Sequence, residues 1–190
     1  MKTETRKDEI IKTAAKLFKE KGYSAVTMRD LASAMGMKAA SLYNHIKSKQ
    51  QILNEIIITL AEEFTSGLRQ IQQSEKSNIK KIEEVVKLHV KIASQNPYGM
   101  ASLNNDWMHL EEKLDYYLEL RSNYEEELRE IIAEGVKKGE IIDENIEIML
   151  FSILTTLRSL YSWIPKKEYR NPEKLSQQLS TVLIQGINKN

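Results

Sequence analysis

The stretch Thr27–Lys49, TMRDLASAMGMKAASLYNHIKSK, decides the fold. Thr27 can cap a helix, with Asp30 in the capping-box position. Leu31, Ala32 and Met35 give that helix one apolar face, and Gly36 follows where a left-handed residue would end it. A second short helix is predicted from Lys38 or Ala39 to about His45, with Leu42 and Ile46 packing it back onto the first. Its remaining side chains, Lys38 to Ser41 and Tyr43 to His45, are small, polar or basic. A helix with that surface fits a major groove: small residues permit close approach, and polar ones reach base edges or phosphates. Ser48 then caps a further helix, with Gln51 at its capping-box position and Lys49 in its first turn.

Working outward, Ile10, Ala14 and Leu17 with Ile11, Ala15 and Phe18 predict a first helix over about residues 5–21, closed by Gly22. Residues 1–47 thus read as a three-helix DNA-binding unit of helix-turn-helix type, and 48–190 as a helical body. The body begins with a long helix over about 48–73 and a fifth helix over about 79–95, broken at Asn96-Pro97. Tyr98–Leu110 predicts one short, irregular helix. A seventh helix runs over about 112–138 and ends at Lys137-Lys138-Gly139. The eighth opens at Asp143 or Glu144 and stops at Ile164 before Pro165. Its Met149–Leu154 stretch is apolar on nearly all sides, which predicts burial by more than one neighbour. Asn171-Pro172 caps the ninth, whose stripe is Leu175, Leu179, Val182, Leu183 and Ile187. No alternating strand pattern occurs, so the fold class is all-α with about nine helices.

The net charge of +1 hides an asymmetry. Residues 1–50 carry eleven Lys or Arg against five Asp or Glu, while the rest carries seventeen against twenty-two. A basic head on an acidic body fits nucleic-acid binding at one end. With no cysteine in the chain, disulfides and thiolate metal sites are excluded. The polar N-terminus lacks a signal peptide pattern, and Glu147 and Arg158 break the longest apolar run, so a cytoplasmic protein with no membrane partner is expected.

Taken together, Gly22-Tyr23, Thr27, Ala32 and Gly36, Leu42-Tyr43-x-His45 and Ser48-Lys49 resemble the TetR family of bacterial transcriptional regulators. The resemblance covers about the first quarter of the chain. Lys38 departs from it, standing where the family usually has a small hydroxyl residue, and Ile46 stands where it usually has Phe. The resemblance implies a transcriptional regulator, a repressor released from a palindromic operator in double-stranded DNA by a small-molecule effector. It implies phosphate contacts from Thr27, Tyr43 and Lys49, with Met28 beside them. Lys38, Ala39, Ala40 and Ser41 would face the groove, with Asn44 and His45 at its edge. It also implies a homodimer built from the eighth and ninth helices, and an effector pocket in the body. Further on, Tyr124, Ile131, Gly135, Gly139, Ile141 and the run ending in Trp163 resemble the bodies of TetR-family members that sense acyl-CoA or fatty-acid metabolites.

Aromatics and methionines concentrate in the body, a composition shared by a core and by an apolar pocket. Candidate lining residues are Phe64, His89, Met100, Trp107, Met108 and Tyr117, with Tyr124 and Tyr161. Arg121 and Arg158 are the cations available to an anionic head group, unless Arg158 pairs across a dimer interface or reaches the surface. No catalytic or metal site is expected. Glu111-Glu112 and Glu125–Glu127 are adjacent carboxylates that do not share a helix face, and His45, His89 and His109 lack partners at ligand spacing. No resident cofactor is expected. The alternative reading is a helical dimeric protein-interaction module with weak, non-specific DNA binding.

Overall fold

The computed structural model describes residues 5–167 and 171–186, and all regular structure among them is helical. The helices are α1 (Arg6–Lys21), α2 (Met28–Ala34), α3 (Ala39–Tyr43), α4 (Lys49–Gln72) and α5 (Asn78–Gln95), followed by α6 (Pro97–Asn105), α7 (Leu114–Lys137), α8 (Ile146–Lys167) and α9 (Pro172–Ser180). Among the described residues, no helix is long and apolar enough to cross a membrane.

Local chemistry sets most boundaries. Thr5 and Thr27 each form a complete capping box, with Asp8 and Asp30 respectively. Ser48 accepts the Gln51 N–H at 3.0 Å, while the Gln51 side chain accepts from the Lys47 N–H, one residue before the expected partner. Ser77 and Asn171 cap α5 and α9, the latter with Pro172 in the first turn. Gly36 takes φ +62° immediately after the α2 cap, with the Gly36 and Met37 N–H groups closing on Ser33 and Ala32 carbonyls.

Several expectations need correction. The segment after Pro97 is not one helix: α6 ends at Asn105 and two 3-10 turns follow, Trp107–His109 and Glu111–Lys113. Asn104, Asn105 and Asp106 are poor helix formers, and the Asn104 side chain turns back to donate to the Met100 carbonyl. Glu111 is the one non-glycine residue with positive φ among those described. The α8 cap is Asn145, whose side chain accepts from the Glu147 and Ile148 N–H groups, in place of Asp143 or Glu144. Pro165 does not stop α8, because in a last turn it forfeits one backbone hydrogen bond, not a run of them. The Met149–Leu154 stretch is buried on one side alone: Leu150, Ile153 and Leu154 are inside, whereas Phe151 is 69% exposed. The α9 stripe is likewise partial. Leu175 is buried, Val182 is half exposed, a π-helical turn spans Thr181–Gln185, and Ile187 lies outside the described residues.

The described chain divides into two compact units. The first runs to Ala61 and resumes at Tyr98–Leu118; the second comprises Glu62–Pro97 and the chain from Glu119 on. In the first, Ile10, Ala14 and Phe18 of α1 are buried with Leu31 of α2, Leu42 of α3, Ile46, and Leu53 and Ile57 of α4. Phe18 meets Tyr23 edge-on, with ring centroids 5.1 Å apart. In the second, α5 packs against α8 and α9. Its buried side chains include Val85, Val86 and Ile92 of α5, Leu128 and Ile132 of α7, and Leu157 of α8.

The Gly36 turn yields a direct test. A Cβ there meets no atom within 4 Å, so replacement costs conformational energy alone. Gly36→Val should lower stability by about 1–2 kcal/mol, and Gly36→Asn by less, since Asn tolerates the left-handed region. Thermal denaturation followed by circular dichroism would read this; a valine variant as stable as the parent would refute the account.

Candidate functional site

The α2–turn–α3 stretch presents a compact polar surface. Thr27, Lys38, Ala40, Tyr43, Asn44 and His45 are exposed, and Met28, Ala39, Ser41 and Lys49 are half-buried. All ten residues singled out from the sequence therefore reach solvent. Buried Leu42 and Ile46 anchor the opposite side of α3. Tyr43 stands 51% exposed, free of the core role that an aromatic residue next to Leu42 could have taken.

Two of the candidate phosphate contacts already have partners. The Thr27 hydroxyl donates to the Asp30 carboxylate and accepts the Asp30 N–H, so the cap occupies it fully. The Thr27 hydroxyl, and after it the Thr27 backbone N–H, donate to the Asp30 carboxylate and hold it below its ordinary range. The Lys49 ammonium donates to the Tyr23 carbonyl at 2.9 Å and lies 4.2 Å from the Tyr23 ring centroid. Lys38 begins α3 without a side-chain cap hydrogen bond.

Tyr23 is the hub of a network that sequence reading missed. Its hydroxyl donates to Gln50 Oε1 at 2.8 Å, and Gln50 Nε2 donates to the His109 carbonyl at 2.6 Å. The His109 imidazole stacks on the Tyr23 ring at 5.2 Å. Burial pushes the Tyr23 phenol pKa up, and the charges of Glu111 and Asp106 add to it. No local spacing reveals these ties, because Gln50 and His109 are 59 residues apart.

The candidate pocket residues fall into both units. Met100, Trp107, Met108 and Tyr117 belong to the first, where Trp107 stacks on Tyr117 at 6.0 Å and Met108 is exposed. The rest belong to the second. There Phe64 of α4, His89 of α5 and Tyr124 of α7 form a buried cluster, with Phe64 4.5 Å from His89 and 6.1 Å from Tyr124 between centroids. His89 Nε2 and the Tyr124 hydroxyl are 2.8 Å apart. Burial, assisted by the Arg158 charge, pushes the His89 pKa down to about 3. Burial also raises the Tyr124 phenol far above its ordinary value. Both groups are therefore neutral at pH 7.

Arg121 and Arg158 are not the open cations that the sequence suggested. Glu125 Oε1 lies 2.5 Å from Arg158 Nη2 and 3.3 Å from Arg121 Nε. Burial alone would raise the Glu125 carboxyl; hydrogen bonding and charge from Arg158, then Arg121, outweigh it and hold the pKa low. Tyr161 is half-buried in the same unit. Among the described residues, no group of three or more His, Cys, Asp or Glu side chains could hold a metal ion.

Residues 10–56 match the family described as bacterial regulatory proteins, tetR family, and residues 75–187 match the tetracyclin repressor-like C-terminal domain. The HTH-type transcriptional repressor KstR2 of Rhodococcus jostii is 25% identical over 190 residues, covering 96% of this chain and 91% of that one. The nucleoid occlusion factor SlmA of Vibrio cholerae is 30% identical over 147 residues, covering 74% of this chain and 75% of that one. The crystal structure of the TetR-family regulator PfmR from Thermus thermophilus aligns with a TM-score of 0.83 at 25% identity, over 96% of this chain and 100% of that one. The polar face of α3, its buried anchors and these two matches agree: the chain belongs to the tetR family of bacterial regulatory proteins and is a DNA-binding transcriptional regulator.

Proposed function

We propose that the protein is a homodimeric repressor that binds a palindromic operator and leaves it when a small molecule enters the body. Residues 1–47 serve as the DNA-binding domain and 48–190 as the ligand-binding and dimerisation domain. The observation that carries the reading is the α2–α3 surface, where exposed Lys38, Ala40, Tyr43, Asn44 and His45 stand opposite buried Leu42 and Ile46. Small side chains let α3 enter a major groove, and Lys38 and Ser41 supply base or phosphate contacts. Thr27 acts through the helix start that it caps, since its hydroxyl is already used. Lys49 exchanges the Tyr23 carbonyl for a phosphate. The role is regulatory and not catalytic, carried out in the cytoplasm.

Helices α8 and α9 form the dimer interface. Ile148, Phe151, Ser152, Thr155, Ser159, Ser162 and Trp163 share one face of α8 at helical spacing, with no charged residue on it before Lys166 at its end. Ile148 is 64% exposed and Phe151 69% exposed in the single chain. A two-fold axis through this face places two α3 helices on successive half-sites. The effector is an acyl-CoA or another lipid-like metabolite, received among the aromatic side chains of the body. It acts only by preferring the conformation that does not bind DNA, because equal affinity for both shifts nothing.

Selection from random duplexes should return an inverted repeat. On that sequence Lys38→Ala should lower the salt slope by about 0.9 if it neutralises one phosphate. Tyr43→Phe should weaken binding with little change in slope. Equal affinity for the selected and a scrambled duplex would favour the alternative, an interaction module with non-specific DNA binding. Sedimentation should give a dimer for the parent and a monomer for Phe151→Glu; a variant that remains dimeric would move the interface elsewhere.

A further inference from the structure

His89 lies wholly inside the second unit, yet its Nδ1 has no hydrogen-bond partner. An unpaired buried polar atom is costly, so the cluster around it calls for an explanation. The tautomer follows from counting hydrogen bonds. A neutral imidazole has one N–H. Among the described residues, the Tyr124 hydroxyl meets only His89 Nε2. If Nε2 donated to the Tyr124 oxygen, both the phenol proton and Nδ1 would be unsatisfied. If the phenol donates to Nε2, Nδ1 alone is left, and it carries the proton. Tyr124 thus sets His89 as a buried N–H donor without an acceptor.

The surroundings restrict what can fill that role. Phe64 supplies an apolar wall against the His89 ring. The Arg158 charge reaches His89 but is already matched by Glu125. A carboxylate buried here would lose its hydration while Arg158 is already paired with Glu125, whereas a neutral oxygen acceptor carries no charge to desolvate. We infer that the body binds its ligand by a neutral carbonyl oxygen that accepts the His89 Nδ1–H, with the adjoining apolar chain against Phe64. His89 is the specificity-determining donor, and Tyr124 is a positioning residue that fixes its tautomer. This rests on the effector-regulated reading of the body and names the chemistry of the effector's buried end.

The test uses the full-length protein and four probes of matched length: methyl nonanoate, methyl heptyl ketone, sodium nonanoate and nonane. Either carbonyl probe should bind more tightly than nonanoate or nonane, and the two together tell an ester site from a ketone site. His89→Phe should weaken carbonyl binding by about tenfold, the loss of one buried hydrogen bond. His89→Asn, which keeps an N–H donor near the Nδ1 position, should retain most of it and guards against a phenylalanine variant that misfolds. Nitrogen-detected NMR of the imidazole should show Nδ1 protonated at neutral pH, a shift on adding methyl nonanoate, and mixed tautomers in Tyr124→Phe. Tighter binding of nonanoate, no binding of either carbonyl probe, unchanged affinity in His89→Phe, or a proton on Nε2 would each overturn the inference. DNA binding is measured on the same samples without probe. Its absence would count against the regulator reading alone, while carbonyl binding that fails to release DNA would count against effector control and leave the site assignment standing.

Discussion

A helix as short as α3 has no stability of its own, since nucleation is barely repaid over five residues. Its orientation therefore depends on the burial of Leu42 and Ile46 and on the left-handed turn at Gly36. These two constraints act at opposite ends of the same short segment. Burial selects which face of α3 turns inward, and the glycine selects the direction in which the chain leaves α2. The polar surface proposed to meet DNA is what remains once both are met. The polar residues of α3 are thus free to vary for recognition while the apolar pair and the glycine are not, a division of labour between fold and specificity.

Where the fold was legible in the sequence, the governing interactions were local. The box at Thr27–Asp30 and the cap at Asn171 link residues three apart, within reach of a reading by spacing. Legibility ended where neighbours in the chain competed. Asp143, Glu144 and Asn145 are all acceptable caps, and only the observed geometry shows that Asn145 takes the role. The run Asn104–Lys113 mixes weak helix formers with apolar anchors, so periodicity could not divide it into α6 and two tight turns.

The candidate sites divide in the same way. The α3 surface was legible because exposure follows from helical spacing once Leu42 and Ile46 are known to be inside. The partner of Lys49 was not, because Tyr23 lies across a loop. Glu125 is one of three adjacent carboxylates, and nothing in its spacing signals that Arg158, thirty-three residues on, shares it with Arg121. A composition rich in aromatics located the His89 cluster in the body but could not tell a filled core from a receptive one. The inference that the cluster is receptive rests on a single nitrogen atom without a partner.

The bond from Gln50 to the His109 carbonyl has a consequence for the order of synthesis. Gln50 leaves the ribosome 59 residues before its partner, a wait of about 3–12 s at typical elongation rates. During that interval Tyr23 lacks its stacking neighbour and Gln50 of α4 lacks its carbonyl acceptor. The first three helices can form early from local contacts, but the nascent head reaches its final rigidity only after the first 3-10 turn, which carries His109, has emerged and docked. An incomplete chain therefore carries a head that is already basic but not yet braced by its later partner.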